Sequence, residues 1–193
     1  NGEVGQWPFQ PSGEWPKGSG HGYLDGVSVL IAAEITAPGN NQIIHPLEAS
    51  YREWMDRDPV TGQIWGLEPI PGYINPNVSS PAINTNPSTW PNTWPKALPE
   101  ISLTDTTWDG LWYGYFGKGI ENSDFETFFA MDDSKDFEFA RAPYRYFPIA
   151  ADSNRGGLGL RVEVRGFQWS HVLAEDIIFW HYDIVNLSDS LYE

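Results

Sequence analysis

The 193-residue chain contains no cysteine. Disulfide stapling, thiol redox chemistry and cysteine-ligated zinc are excluded, and a chain of this length needs none of them, because it can bury roughly 70% of its unfolded surface. A thiol-free composition fits an oxidising exterior. Basic residues are scarce as well: 11 Lys and Arg stand against 26 Asp and Glu, a formal charge of -15. With no basic run anywhere, nucleic acid would be repelled along most of the surface, which removes DNA and RNA from the candidate partners. No stretch approaches the roughly 20 apolar residues that a membrane-spanning helix requires. No nucleophile, phosphate loop or metal cage stands out either.

What is abundant is β-pattern and aromatic surface. Leu158, Leu160, Val162 and Val164 alternate with Gly159, Arg161, Glu163 and Arg165, the period-2 signature of a half-buried strand whose charged face is wet. The run from Asp176 to Val185 is apolar or aromatic at nearly every position, which predicts a central strand covered on both faces. Residues 21–36 are β-branched and glycine-bounded, and residues 42–54 are expected to form a hairpin with them across Pro38-Gly39-Asn40-Asn41. Further strands are expected at 63–69 and 124–131, a hairpin or loop within 104–119, and a short edge segment at 143–148.

Residues 1–20 read as an extended arm rich in glycine and Trp-Pro pairs, and residues 21–193 as one β-rich domain. A proline-rich loop over 69–99 keeps Tyr73, Trp90 and Trp94, so packing on the sheet is expected to order it. The first residue is Asn1 and the last follow closely on a strong strand, which reads as a trimmed piece of a longer precursor, possible truncation at the C-terminus included.

Four groups could carry chemistry. Asp132, Asp133 and Asp136, with Glu138 beside them, offer oxygen ligands for Ca²⁺ without the EF-hand spacing, and Asp56 with Asp58 is a second such candidate. The histidines His21, His45, His171 and His181 show no metal-ligand spacing, and His181 between Trp180 and Tyr182 reads as a hydrogen-bonded strand residue. Glu163, Glu175, Asp176 and Asp183 could supply the carboxylate pair of a glycoside hydrolase, although Glu163 also fits simple charge pairing with Arg161 and Arg165. Ten tryptophans are the strongest compositional signal. Trp90, Trp94, Trp108, Trp112 and Tyr113 are the candidate contacts for a glycan or a partner protein, against the alternative that tryptophans before proline plug gaps at a sandwich edge.

Residues 157–169 and 173–186, together with Glu68-Pro69-Ile70-Pro71-Gly72-Tyr73-Ile74-Asn75-Pro76 and Met131-Asp132-Asp133, resemble a group of large uncharacterised secreted proteins of Bacteroidota-like bacteria that carry a C-terminal sorting signal. The resemblance implies export and supplies no catalytic residues. The expected fold is all-β, an antiparallel sandwich of immunoglobulin-like or jelly-roll-like kind with long Pro- and Trp-rich loops. The expected function is a secreted or cell-surface structural module that packs on other protein chains through aromatic loops. A glycan-binding module is the alternative, and a carboxylate-dependent glycoside hydrolase the second alternative.

Overall fold

A computed structural model describes residues 3–5, 13–91 and 110–192. Trp94, Trp108 and residues 6–12 of the expected arm lie outside them. The architecture is all-β: eleven strands, two short 3-10 turns and no α-helix among the described residues. Among the described residues the sheets are antiparallel, consistent with a sandwich, and close no barrel. In chain order the strands are β1 (Leu30–Ala32), β2 (Ile35–Thr36), β3 (Ile43–Ile44), β4 (Leu47–Ala49), β5 (Glu68–Pro69), β6 (Ala82–Ile83), β7 (Tyr113–Gly114), β8 (Gly117–Lys118), β9 (Phe125–Asp132), β10 (Leu160–Gln168) and β11 (Phe179–Asn186).

The chain divides into two compact units, Asn1–Glu68 with Met131–Arg161 and Ile184–Glu193, and Pro69–Ala130 with Val162–Asp183. In the first unit the expected hairpin forms in two steps, β2 on β3 and β1 on β4. Ala33, Ile35, Ala37, Ile44, Tyr146, Leu158 and Leu160 make its core. Of the expected arm, Val4 bridges to Val27 and Glu14 to Gly22. In the second unit Ala82, Trp112, Tyr113, Phe128 and Ala130 make the core. The proline-rich loop is described through Pro91. It holds β6, which pairs with β9, and a 3-10 turn at Pro87–Thr89 capped by the Asn86 side chain.

The largest sheet runs β11-β10-β9-β5, with β6 also on β9. This order exchanges the two strands that the sequence ranks by hydrophobicity. β10, expected to keep a wet face, is buried along almost its whole length, including Arg161, Glu163 and Arg165. Alternating charge normally marks solvent, but Arg165 finds a buried carboxylate partner in Glu126 on β9, so its charge does not require water. β11, expected at the centre, is an edge strand, with Phe179 and Ile184 about half exposed. A continuous apolar run normally means cover on both faces; here, among the described residues, β11 pairs with β10 alone and none of its residues is fully buried. The segment 143–148 forms turns rather than an edge strand.

Candidate functional site

In the second unit β7 and β8 form a two-residue hairpin, with Tyr113 opposite Lys118 and Gly114 opposite Gly117. Its tip is Tyr115-Phe116. The positive φ of this turn falls on Gly117 (φ +135°), which leaves Tyr115 and Phe116 at the tip free of left-handed backbone, with Phe116 59% exposed. Gly114 permits the turn, because a Cβ there would meet the Ile120 carbonyl oxygen at 1.8 Å.

The hairpin is fixed from beneath by one carboxylate. Glu126 is fully buried. Its Oε1 accepts from the Arg165 guanidinium at 2.5 Å and from the Tyr115 backbone N–H at 3.0 Å, while its Oε2 accepts from the Trp112 indole N–H at 3.0 Å. Arg165 in turn lies over the Phe128 ring, 4.6 Å from its centroid, and over Tyr113 at 6.0 Å. Charge, hydrogen bonds and ring packing therefore satisfy both ions where water is excluded.

From this support a chain of rings extends outward. Tyr115 meets Phe116, Phe167 and His181 edge-on at 5.0, 6.2 and 4.6 Å. Phe167 stacks on Trp169 at 6.2 Å, and Trp169 meets Phe179 edge-on at 5.5 Å. Trp169 is held by its indole N–H on the Asn122 carbonyl, and the adjoining Ser170 by both its N–H and its hydroxyl on Asp124. Those two bonds keep the Asp124 carboxyl below its usual range. Phe116, at 59% exposure, and Phe179, at 48%, form the outer ends, with Ile177 and Ile178 exposed beside Phe179. His181 Nε2 lies 3.0 Å from Asp183 Oδ1, the hydrogen-bonded strand histidine that the sequence suggests.

The residues singled out from sequence sit close to this surface but not on it. Trp112 and Tyr113 are buried, and half-buried Trp90 donates its indole N–H to the Ile83 carbonyl and lies 5.7 Å from Trp112. All three build the core. Tyr115 and Phe116, Phe167, Trp169 and Phe179 were absent from the candidates. The signal that reveals the first pair is Gly114-Tyr115-Phe116-Gly117, glycine brackets around aromatic residues.

In the first unit Asp132 ends β9 and Asp133 and Asp136 lie in the turn that follows, where each accepts hydrogen bonds from the chain itself. Asp133 Oδ2 accepts from Leu158 N–H at 2.7 Å and Oδ1 from Leu160 N–H at 2.9 Å, with Arg155 at 3.3 Å. Asp132 caps Ser134, and Asp136 Oδ1 accepts from Glu138 N–H. Among the described residues no group of three or more His, Asp and Glu is arranged to hold a metal ion. Gly157 makes the Asp133 anchor possible: its φ is +67°, and a Cβ there would meet Asp133 Cγ at 2.5 Å. Gly157→Ala is expected to lower stability by about 2–4 kcal/mol through strain and displaced carboxylate together. Urea unfolding followed by far-UV circular dichroism measures it, and a loss under about 0.5 kcal/mol would contradict the anchor.

Of the glycosidase candidates, Glu163 is buried within β10, while Glu175 and Asp176 are exposed. Searches against protein-family models, curated proteins and solved structures find no match to this chain.

Proposed function

We propose that this chain is a secreted or cell-surface assembly module that packs on other protein chains through the ring chain from Phe116 to Phe179 and the adjoining edge of β11. The observation that carries the reading is the edge strand itself: its apolar residues are exposed where a sheet offers unpaired N–H and C=O groups. An extended segment of another chain would gain main-chain hydrogen bonds along β11 and an apolar seat on Phe179, Ile178 and Phe116. The acidic surface keeps such a module dispersed until the partner strand arrives. The hairpin tip and Trp169 are braced by hydrogen bonds from below, so little side-chain order has to be created on docking.

Light scattering of the purified protein over a concentration series tests this reading. Growth into defined oligomers is expected, and the double variant Phe116→Ser, Phe179→Thr is expected to stay monomeric with an unchanged fold. A wild-type monomer at every concentration would overturn self-assembly.

The glycan-binding reading has one observation of its own. The His181–Asp183 pair stands beside the exposed Tyr115 ring, placing polar atoms next to an aromatic face as sugar recognition requires. Quenching of tryptophan fluorescence by neutral sugars, lost in Tyr115→Ala, is the expected sign of it.

A further inference from the structure

Within the first unit a cleft of about 400 Å³ opens between residues 58–65 and residues 137–153. Its apolar lining is mainly three half-buried rings, Trp65, Phe137 and Phe147. Its polar lining is Asp58, Thr61, Gln63, Arg141 and Ser153. The chain reversal from Asp58 to Gln63 sets that polar wall before any ligand arrives. Asp58 N–H donates to the Gln63 carbonyl at 2.8 Å and Gly62 N–H to the Asp58 carbonyl at 2.8 Å, with Gly62 at φ +74°. The Asp58 carboxylate accepts from the Val60 and Thr61 N–H groups and from both terminal nitrogens of Arg141. Asp58, a calcium candidate by sequence, is therefore only 3% exposed and taken by its own loop and by Arg141. The Gln63 amide nitrogen donates to the Ile64 carbonyl at 3.1 Å, which leaves the amide oxygen without a donor among the described residues.

These features select a ligand by its chemistry. Asp58 and Arg141 cancel each other's charge, so the cleft offers no open carboxylate to a cation, and a chain of formal charge -15 repels anions. The rings present flat apolar faces, while the hydroxyl, amide and guanidinium groups beside them supply both donors and acceptors. A sugar ring is the matching shape: it is uncharged, apolar across its C–H face and edged by hydroxyls that both donate and accept. The volume lies in the usual range of small-molecule sites. We infer that this cleft binds a short neutral saccharide, whose C–H face packs on the rings while its hydroxyls bond Gln63, Ser153 and the half-exposed Arg141. The site is independent of the Tyr115–His181 pair, which lies in the other unit.

Saturation-transfer difference NMR of the intact chain with maltose, cellobiose, lactose and mannobiose tests the inference, followed by titration of the sugar that responds. At least one of these sugars is expected to receive saturation at its ring C–H protons. Its dissociation constant should rise by about tenfold in the double variant Gln63→Ala, Ser153→Ala, which removes two hydrogen-bonding groups. Both positions are exposed, so far-UV circular dichroism should show an unchanged fold. Ser153→Trp, which fills the cleft from its rim, should abolish binding, whereas Tyr115→Ala should leave it intact. No saturation of any of the four sugars, equal affinity in the wild type and the cleft variants, or loss of binding in Tyr115→Ala overturns the site.

Discussion

Glu126→Ala is expected to destabilise the second unit by about 3–5 kcal/mol, the usual consequence of leaving a buried charge without its partner. Arg165 is only 3% exposed, and the deletion removes its 2.5 Å carboxylate contact. The same change orphans the Tyr115 N–H and the Trp112 indole, so the loss should reach the hairpin that displays Tyr115 and Phe116. Against a total stability of about 5–15 kcal/mol for a domain, such a loss is a large share. Urea unfolding measures it, and near-UV circular dichroism reports loosening of the aromatic residues. Glu126→Gln keeps two acceptor sites and should lose less. Pairing Glu126→Gln with Arg165→Met should recover most of the stability, because both charges leave together. A loss below about 1 kcal/mol for Glu126→Ala would show that Arg165 is satisfied by other groups.

In metal-free buffer the thermal midpoint is expected to fall between pH 5 and pH 8. Burial pushes the carboxyls of Glu48 and Asp136 up, and pushes Asp133 to about 7 against the opposing pull of the Leu160 N–H, Arg155 and the Leu158 N–H. Each of these acids binds its proton more tightly in the folded chain than in the unfolded one. Their contribution is therefore complete below the ordinary carboxylate range, near pH 4, and drains away as the pH rises through the folded values. From pH 5 to 7, Asp133 alone accounts for about 2 kcal/mol, or roughly 4–8 °C in a chain of this size. Asp58 works in the opposite sense. Its Arg141 partner and backbone donors hold it below the ordinary range, a contribution lost only as the pH falls under about 4, outside this window.

Glu48→Gln isolates the cause. It removes one buried acid while keeping its shape, so the midpoint at pH 8 should rise and the slope between pH 5 and 8 should flatten. A profile that is level, or one whose slope the substitution leaves untouched, would assign the pH dependence to the general repulsion of an acidic chain instead.

The β class was legible in particular stretches of sequence. Period-2 alternation marks β10, the apolar run marks β11, and the aromatic–glycine window around Tyr113, which reads as a hairpin or a loop, holds the β7–β8 hairpin. These are local properties, because the alternation of side chains along an extended backbone needs no knowledge of neighbours. The first-unit hairpin was legible for the same reason, with Gly39 and Asn40 between its arms. The candidate site was half legible: the window from Thr104 to Gly119 holds Tyr115 and Phe116, but composition does not separate these exposed rings from the buried Trp112 and Tyr113 beside them.

Which face of each strand is covered was decided only by tertiary structure. Arg165 is buried because Glu126, 39 residues earlier, faces it across the sheet, and a charge can leave water only where such a partner is already placed. In β4 the exposed Leu47 and the buried Glu48 reverse the ordinary preference, and Glu48 lines one small cavity with Asp136 from the turn after β9. β11 is an edge because of strand order, which no residue in it encodes. The sequence by itself determined that this is an acidic, cysteine-free, aromatic-rich β protein, since charge, composition and alternation are fixed residue by residue. Tertiary structure alone decided that Trp112 and Tyr113 are core, that Tyr115, Phe116 and Phe179 are surface, and that Glu48 and Asp136 meet, because each depends on a contact between residues far apart in the chain.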